Sequence, residues 1–319
     1  MTRPPALVLA AGLGTRLRPL TYVRAKAAVP VNGEPLVRRT ARWLAGWGFV
    51  DQVVNLHHQP ASIAAVLGDG ASLGVRIRYS WEQPVLGSAG GPRHALPLLT
   101  DGGHERFLLV NGDTLTDVDV DGLLETHRRS GALATMALIP NPAPEKYGGV
   151  LVSAEGYVEG FTRRGAEPVS YHFIGVQVVE ARVFGALDDG VPYESVGRLY
   201  PALLRESPRG IAAFASNASF RDIGTPDDCL RTSLEIAAEE GPRLIGAAAA
   251  IDPSAVVERT AVWDDVTIGP GAALTECIVG DGAEIPAGAE YRRCAIVPAG
   301  AHAPEADERL ERGLLIRDL

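Results

Sequence analysis

Cysteine is scarce in this chain: three residues in 319, at Cys229, Cys277 and Cys294, with no Cys-x-x-Cys spacing. So few, odd in number and far apart, they argue against a disulfide framework or a zinc site, and a reducing, cytoplasmic setting is expected. Aromatic residues make up 6%, too few for the stacking surfaces that hold single-stranded nucleic acid. Positive charge is in deficit. Against 39 Asp and Glu stand 30 Lys and Arg, a net charge of −9. Such a protein has no general attraction for nucleic acid or anionic membranes, so neither is an expected partner. A local basic pocket for a phosphorylated small molecule stays open. Long apolar runs are missing too; stretches such as residues 247–251 fall far short of a membrane span. The N-terminus, Met1-Thr2-Arg3-Pro4-Pro5, leads into a strand-like segment without the shape of a secretory signal.

What the chain does contain is globular. Hydrophobic residues make up 46% and charged residues 22%, and the length suits one large domain followed by a smaller one. Short apolar runs at residues 6–10, 52–56, 75–79, 107–110 and 133–139 read as strands. Residues 35–47, 61–67, 90–99 and 120–129 read as helices between them. This alternation predicts an α/β fold, a Rossmann-like mixed, mostly parallel sheet with helices on both faces. Ligands in such sheets meet the loops at the carboxyl ends of the strands, where the loops at Gly12 and Asn111 fall. Hairpin-like strands follow at residues 149–152, 158–162 and 170–178. Helices are then predicted over 182–187 and 194–205, a strand over 211–215, and a helix over 226–238 capped by Thr225.

After Gly246 the character changes. Apolar residues recur at Ile251, Val257, Val262, Ile268, Ala273, Val279, Ile285, Tyr291 and Val297, in steps of six or five. A small residue or Val stands four positions after each, among them Ala261, Ala272, Cys277 and Ala295. Two registered positions per six residues is the pattern of a hexapeptide β-helix, here of about three coils. The chain therefore divides into residues 1–243 and a β-helix over 244–319. Leu310, Leu314 and Leu315 form one apolar stripe, which predicts a capping helix over 305–319. Nothing in the sequence covers the coil flanks, and such flanks meet a second subunit about a twofold axis. A homo-oligomer, first of all a dimer, is expected through residues 251–297.

Chemistry concentrates in a few motifs. In Leu9-Ala10-Ala11-Gly12-Leu13-Gly14-Thr15-Arg16-Leu17-Arg18-Pro19-Leu20-Thr21 a buried strand feeds a loop of small residues. The backbone N–H groups of such a loop can converge on phosphate oxygens. Leu17 stands where a dinucleotide fingerprint needs its third glycine, and no Gly-Lys-Ser/Thr follows for a Walker loop. Arg16 adds a planar, permanently charged fork suited to a polyphosphate. Lys26 is the only lysine before residue 146, set among Ala, Val and Pro, and offers a compact charge to a phosphate. In Asn111-Gly112-Asp113 an apolar strand ends in a carboxylate at the ligand edge of the sheet. A second acid, Asp222, precedes a Gly turn and a helix start in Asp222-Ile223-Gly224-Thr225-Pro226. Mg²⁺ is commonly held by one or two such carboxylates plus substrate phosphates. The acids Asp117, Asp119 and Asp121 read instead as caps of the following helix.

These residues resemble the sugar-1-phosphate nucleotidylyltransferases. The family pattern runs Gly-x-Gly-Thr-Arg-Leu-x-Pro-Leu-Thr, Pro-Lys-Pro, Gly-Asp, Lys-Tyr-Gly, Phe-x-Glu-Lys-Pro, Asp-x-Gly-Thr-Pro. This chain has residues 12–21, Lys26, Gly112-Asp113, Lys146-Tyr147-Gly148 and residues 222–226 in that order. The tail is similar to the left-handed β-helix of several members, guanylyltransferases for mannose-1-phosphate among them. The resemblance implies a nucleotide held by Ala11, Gly12, Gly14, Thr15, Arg16, Gln83, Gly87 and Ser88. It implies catalysis by Arg16, Lys26 and Asp113, and Mg²⁺ on Asp113 and Asp222. It implies a sugar phosphate held at Gly149, Arg164 and Gly175. The partners would be a nucleoside triphosphate, GTP first of all, and a sugar-1-phosphate such as mannose-1-phosphate. Two departures stand out. Ala25 and Ala27 replace the prolines around Lys26. Arg163 stands where the pattern has Glu and cannot accept hydrogen bonds from sugar hydroxyls, whereas Arg164 can replace the phosphate-gripping Lys.

Two other functions share these motifs. A cytidylyltransferase-type enzyme activating an amino-alcohol phosphate would keep the phosphate contacts and want an aromatic cage for its cation. A non-catalytic regulatory subunit would bind nucleotide sugar without needing Arg16, Asp113 or Asp222, and all three are present.

Overall fold

The computed structural model describes residues 3–166 and 169–319; Met1 and Thr2 of the N-terminal segment lie outside the described residues. Contacts divide the chain into two compact units, each discontinuous in sequence. One holds the residues up to Gly12 with Thr40–His58 and Leu67–Arg221. The other holds Leu13–Arg39, Gln59–Val66 and Asp222–Leu319.

The first unit is built on a nine-stranded sheet. Its strands are β1 (Ala6–Leu9), β2 (Asp51–Leu56), β3 (Arg76–Trp81), β4 (Arg106–Asn111), β5 (Ala134–Pro140), β6 (Gly149–Val152), β7 (Val158–Thr162), β8 (Tyr171–Glu180) and β9 (Ile211–Ala215). The order along the main path is β7-β6-β8-β4-β1-β2-β3, with β5 paired to β8 and β9 paired to β5. From β4 through β1 and β2 to β3 every ladder is parallel, with Leu9 opposite Asn111 and Val8 opposite Val54. β8 runs antiparallel to β4, β5 and β6. Buried on both faces, the parallel strands read as near-continuous apolar runs: Ala6, Leu7, Val8, Phe107, Leu108, Leu109 and Val110 are all buried. The helix Gly87–Leu99 packs Ala89, Ala95 and Leu99 against Leu7, Val53, Phe107 and Met136. The helix Val120–Ser130 is capped by Asp119, whose carboxylate accepts from the Gly122 N–H at 3.0 Å. Asp117 takes no part in that cap and accepts from the Ser219 N–H at 2.7 Å.

The second unit carries the β-helix. Three parallel ladders stack, formed by Ala250–Ile251, Thr267–Ile268 and Glu284–Ile285; by Val256–Glu258, Ala273–Thr275 and Glu290–Arg292; and by Ala261–Val262, Ile278–Val279 and Cys294–Pro298. Paired positions lie 17 residues apart, as in the hydrogen bond from the Cys277 N–H to Thr260 Oγ1. Three full hexapeptides would give about 18, so each coil is one residue short. The shortened step falls on the same corner every time, from Val257 to Val262, Leu274 to Val279 and Tyr291 to Ile296. This corrects the phase expected at two positions. Leu274, fully buried, is the inward residue rather than Ala273, and Ile296, paired with Val279, holds the inward place expected of Val297.

The tail is a hairpin, not the capping helix expected from its leucine stripe. Glu308–Glu311 and Leu314–Asp318 pair antiparallel around Arg312 (φ 49°) and Gly313 (φ 80°), and the second strand pairs with Cys294–Pro298. Two consecutive left-handed residues make the tight turn that suits hairpin twist. Leu314, Leu315 and Ile316 are all buried while Leu310 is exposed. Three adjacent buried residues fit a strand end sealed on both faces and not one face of a helix.

Candidate active site

In the first unit, the parallel pairing sets the Gly12 loop and the Gly112-Asp113 loop side by side at the carboxyl ends of β1 and β4. The Gly112 N–H donates to the Leu9 carbonyl at 2.9 Å, and a Cβ on Gly112 would sit 2.7 Å from that oxygen. The close approach explains why a glycine precedes the carboxylate. Asp113 is half-buried, and Gly12 is exposed with open space around its Cα. Gly175 (φ 77°) backs the Asn111 side chain so closely that a Cβ would lie 2.6 Å from Asn111 Nδ2.

A buried polar chain that sequence reasoning missed supports the front of this edge. The Asn55 carboxamide oxygen accepts from the Ala10 N–H at 2.5 Å and the Ala11 N–H at 3.2 Å. Its Nδ2 donates at 2.6 Å to Glu82, whose other carboxylate oxygen accepts from the Leu86 N–H at 2.8 Å. Asn55 and Glu82 are 2% and 1% exposed; such burial is tolerated only because every group is satisfied. The chain links the end of β1 to the turn entering the Gly87 helix. A polar residue inside the apolar run of β2 was the one available signal.

Around that turn, Gln83 is exposed, and the Ser88 hydroxyl donates to Glu194 Oε2 at 2.9 Å and accepts from the Ser195 N–H at 2.9 Å. Gly149 begins β6, its N–H bonded to Thr162 Oγ1 at 3.1 Å, where a Cβ would sit 2.5 Å from that hydroxyl. Arg163 and Arg164 are exposed just beyond β7. Nearby, Tyr147, His172 and Phe220 form a ring cluster, with His172 centroids 4.4 Å from Tyr147 and 4.7 Å from Phe220. Burial holds the His172 imidazole below its ordinary pKa, so the ring is neutral at pH 7.

In the second unit, Gly14 takes the left-handed conformation (φ 63°) and starts a one-turn 3-10 helix, Thr15–Leu17. A Cβ there would lie 2.8 Å from Thr21 and 3.0 Å from the Lys26 Cβ, and the Thr21 hydroxyl donates to the Gly14 carbonyl at 3.0 Å. Gly14, Thr21 and Lys26 are thus packed on one another. Arg16 is exposed; its guanidinium nitrogen and the Asp222 carboxylate both lie within 3.3 Å of the position a Gly224 Cβ would take. Thr225 caps the helix Pro226–Glu240, accepting from the Asp228 N–H at 3.2 Å. Arg16, Lys26 and Asp222 therefore belong to one compact unit, and Ala11, Gly12, Asp113, Gln83, Ser88 and Gly149 to the other.

The nucleotidyl transferase family pattern matches residues 5–239. The chain belongs to this family. It is 30% identical over 300 residues to a mannose-1-phosphate guanylyltransferase of Mycobacterium tuberculosis, covering 90% of this chain and 83% of that one. It is 34% identical over 224 residues to an N-acetylmuramate alpha-1-phosphate uridylyltransferase of Neisseria meningitidis, covering 69% and 93%. Its fold is similar to that of HddC from Yersinia pseudotuberculosis, solved with GMP-PN, at a TM-score of 0.61 and 19% identity over 73% of this chain and 99% of that one. This nucleotidyltransferase is an enzyme acting on sugar-1-phosphates. Among the described residues, no group of three or more His, Cys, Asp and Glu gathers for a metal, and no helix is long and apolar enough to cross a membrane. Asp113 in the first unit and Asp222 in the second each offer hard carboxylate oxygens, the donor type that suits Mg²⁺.

Proposed function

We propose that the enzyme transfers guanylyl from GTP to mannose-1-phosphate or a closely related sugar-1-phosphate, releasing pyrophosphate. The observation that carries this reading is the 30% identity to a mannose-1-phosphate guanylyltransferase across 90% of the chain. A phosphate oxygen of the sugar-1-phosphate attacks the α-phosphorus in line. The bond from that phosphorus to the bridging oxygen breaks, and pyrophosphate leaves with the electron pair. The phosphate monoester is already ionised at neutral pH, so no side chain has to remove a proton. The protein's task is positioning and charge neutralisation.

In this reading Ala11, Gly12, Gly14 and Thr15 hold the triphosphate through backbone N–H groups. Arg16 binds the β- and γ-phosphates and the departing pyrophosphate, and Lys26 binds near the α-phosphorus. Gln83, Gly87 and Ser88 line the base. Gly149, Arg164 and Gly175 line the sugar phosphate. Asp113 and Asp222 would hold Mg²⁺, which when bound supplies Lewis-acid stabilisation of the phosphoryl oxygens. We further propose that residues 1–243 carry the chemistry and 244–319 the β-helix, and that the enzyme is a cytoplasmic homodimer joined through its coils.

The test is a pyrophosphate-release screen of GTP, ATP, UTP, CTP and dTTP against a panel of sugar-1-phosphates. GTP with mannose-1-phosphate should give the highest kcat/KM; a pyrimidine triphosphate in first place overturns the base assignment. Uridylyl transfer is the second reading, favoured by the 34% identity to the Neisseria enzyme. That likeness covers only 69% of the chain. Light scattering of the full chain tests the dimer, and a monomer at micromolar concentration removes it.

A further inference from the structure

Between Arg16 and Lys26 the chain has little structure of its own. Three one-turn 3-10 helices, Thr15–Leu17, Leu20–Tyr22 and Lys26–Ala28, are all it forms. Such turns are short and their hydrogen bonds poor. The geometry needed for phosphate contacts has to come from elsewhere: in the second unit Gln59 Nε2 donates to the Tyr22 carbonyl and Ser62 Oγ accepts from the Ala25 N–H, both at 3.0 Å, while the β-helix holds the side chains of the segment.

Arg24 is the centre of that support. Its Nε donates to Asp281 at 2.5 Å, and its Nη2 donates to the other Asp281 oxygen at 2.8 Å and to Asp264 at 2.6 Å. The side chain is only 14% exposed and lies over the Trp263 ring at 5.5 Å. Asp264 and Asp281 occupy the same corner of successive coils. The Asp264 N–H donates to Asp281 at 3.2 Å, and Asp264 in turn accepts from the Ala247 N–H at 2.7 Å. The acceptors are thus tied to each other before Arg24 arrives, a bidentate, charge-assisted grip on a fixed frame.

The C-terminal hairpin and the residues leading into it hold the other end of the segment. Arg18 is ion-paired with Glu305, and its carbonyl accepts from Arg317 Nη1 at 2.9 Å. Tyr22 stacks on His302 with centroids 4.3 Å apart, and its hydroxyl donates to Glu308 at 3.4 Å. The residues gripped, Arg18, Tyr22 and Arg24, interleave with Arg16, Thr21 and Lys26, which turn toward Gly14 and Gly224.

We infer that the β-helix is the positioning frame of the phosphate-binding loop, with Arg24, held by Asp264 and Asp281, as the positioning residue for Lys26. This rests on the reading that Arg16 and Lys26 contact the triphosphate. Displacement of a catalytic group by about 1 Å costs about 10²-fold in rate. Loss of the grip is therefore read in kinetics, not only in stability.

The experiment compares full-length variants in steady-state kinetics with both substrates varied, using the NTP and sugar-1-phosphate pair the wild type prefers. The double change Asp264→Asn with Asp281→Asn should raise KM for NTP, and for pyrophosphate in the reverse direction, by about tenfold or more, and lower kcat by about 10- to 100-fold. KM for sugar-1-phosphate should stay within about twofold. Arg24→Lys, which keeps the charge and loses the fork, should fall between the double variant and wild type, and serves alone if the double variant does not fold. Arg259→Ala removes a more exposed ion pair of the β-helix, Arg259 with Glu276 at 3.1 Å on another coil corner, and should leave every kinetic constant unchanged. The inference is overturned if the Asp264/Asp281 or Arg24 variants keep wild-type constants, if both substrates' KM values move together, or if Arg259→Ala has the same effect. Arg16→Ala separates the two levels. If it leaves KM for NTP unchanged, the reading of the loop fails; if it raises KM while the Arg24 and Asp variants do not, only the frame fails.

Discussion

The sheet of the first unit and the coils of the second satisfy their backbones in opposite ways. In the coils each strand of two to five residues pairs with a segment 17 residues away, and the same spacing recurs on all three faces. In the sheet the order β7-β6-β8-β4-β1-β2-β3 follows no fixed spacing, and the partners of β1 lie 46 and 102 residues away. Repetition makes the coils regular, and it leaves them without chemical variety: none of the motif residues lies between Ile251 and Val297. The irregular crossings of the sheet bring unlike loops to one edge, and that is where Gly12 and Asp113 stand. A fold that must gather different side chains pays with non-local pairing, while one that must only stack can use a short repeat.

The sharpest break in this comparison is chemical. Asp113→Asn should lower kcat by about 10²-fold or more with circular dichroism and melting temperature close to wild type, because the change removes a charge at the ligand edge and not from the core. Asp222→Asn should behave alike, and activity near wild type in either variant at low Mg²⁺ would remove that residue from the metal site.

Packing gives the next largest effect. Leu274→Ala, in the middle of the coils, should cost about 2–5 kcal/mol of unfolding free energy, since a coil one residue short has little room to collapse on the cavity. Leu310→Ala, on the exposed face of the hairpin, should change stability by no more than about 0.5 kcal/mol. Chemical denaturation measures both. Similar losses at the two positions would contradict the hairpin assignment, since a capping helix would bury Leu310 beside Leu314.

A smaller effect belongs to the sheet. Gly175→Ala puts a side chain at φ 77° and 2.6 Å from the Asn111 carboxamide, and should cost about 1–3 kcal/mol. It should also weaken sugar-1-phosphate binding, seen as a raised KM. A variant as stable as the parent would show that β8 tolerates a different path there.

The smallest is a pH effect confined to the first unit. His127 is buried, its Nδ1 at 2.9 Å from Thr135 Oγ1 and its Nε2 at 3.2 Å from Glu180. Burial lowers its pKa, with the Glu180 carboxylate opposing and burial prevailing. The unfolded chain then binds the proton more readily than the folded one. The contribution of His127 is complete above the ordinary imidazole value of about 6.5 and is lost as pH falls from there toward the lowered folded-state value. His172 shifts in the same direction for the same cause. Denaturation curves between pH 5 and 8 should slope less for His127→Gln than for wild type, and equal slopes would show that folding leaves the proton affinity of the imidazole unchanged.

Much was legible along the chain because it is local. The apolar run of residues 6–10, the glycines around Arg16 and the Thr225-Pro226 helix start each declare themselves within a few residues. Strands at Gly149–Val152, Val158–Thr162 and Ile211–Ala215 fall where the pattern puts them. The coil phase and the tail were misread for one reason. Ala273 beside Leu274, and Leu310 before Leu314, offer two apolar residues to one inward place, and spacing alone does not choose between them. Stacking does: only Leu274 lies in register with Val257 and Tyr291.

The family, the kind of chemistry and the presence of a repeating tail are readable from short stretches, because phosphate-binding loops and coil repeats are written in neighbouring residues. That Asn55 and Glu82 brace the end of β1, and that Arg24 is fastened to Asp264 and Asp281, is visible only in the folded chain. These contacts join positions 27 to 257 residues apart. A polar side chain at such a position has no neighbour in sequence that needs it. Its partner is fixed by burial, which penalises every unpaired group and so selects the one arrangement in which all are satisfied.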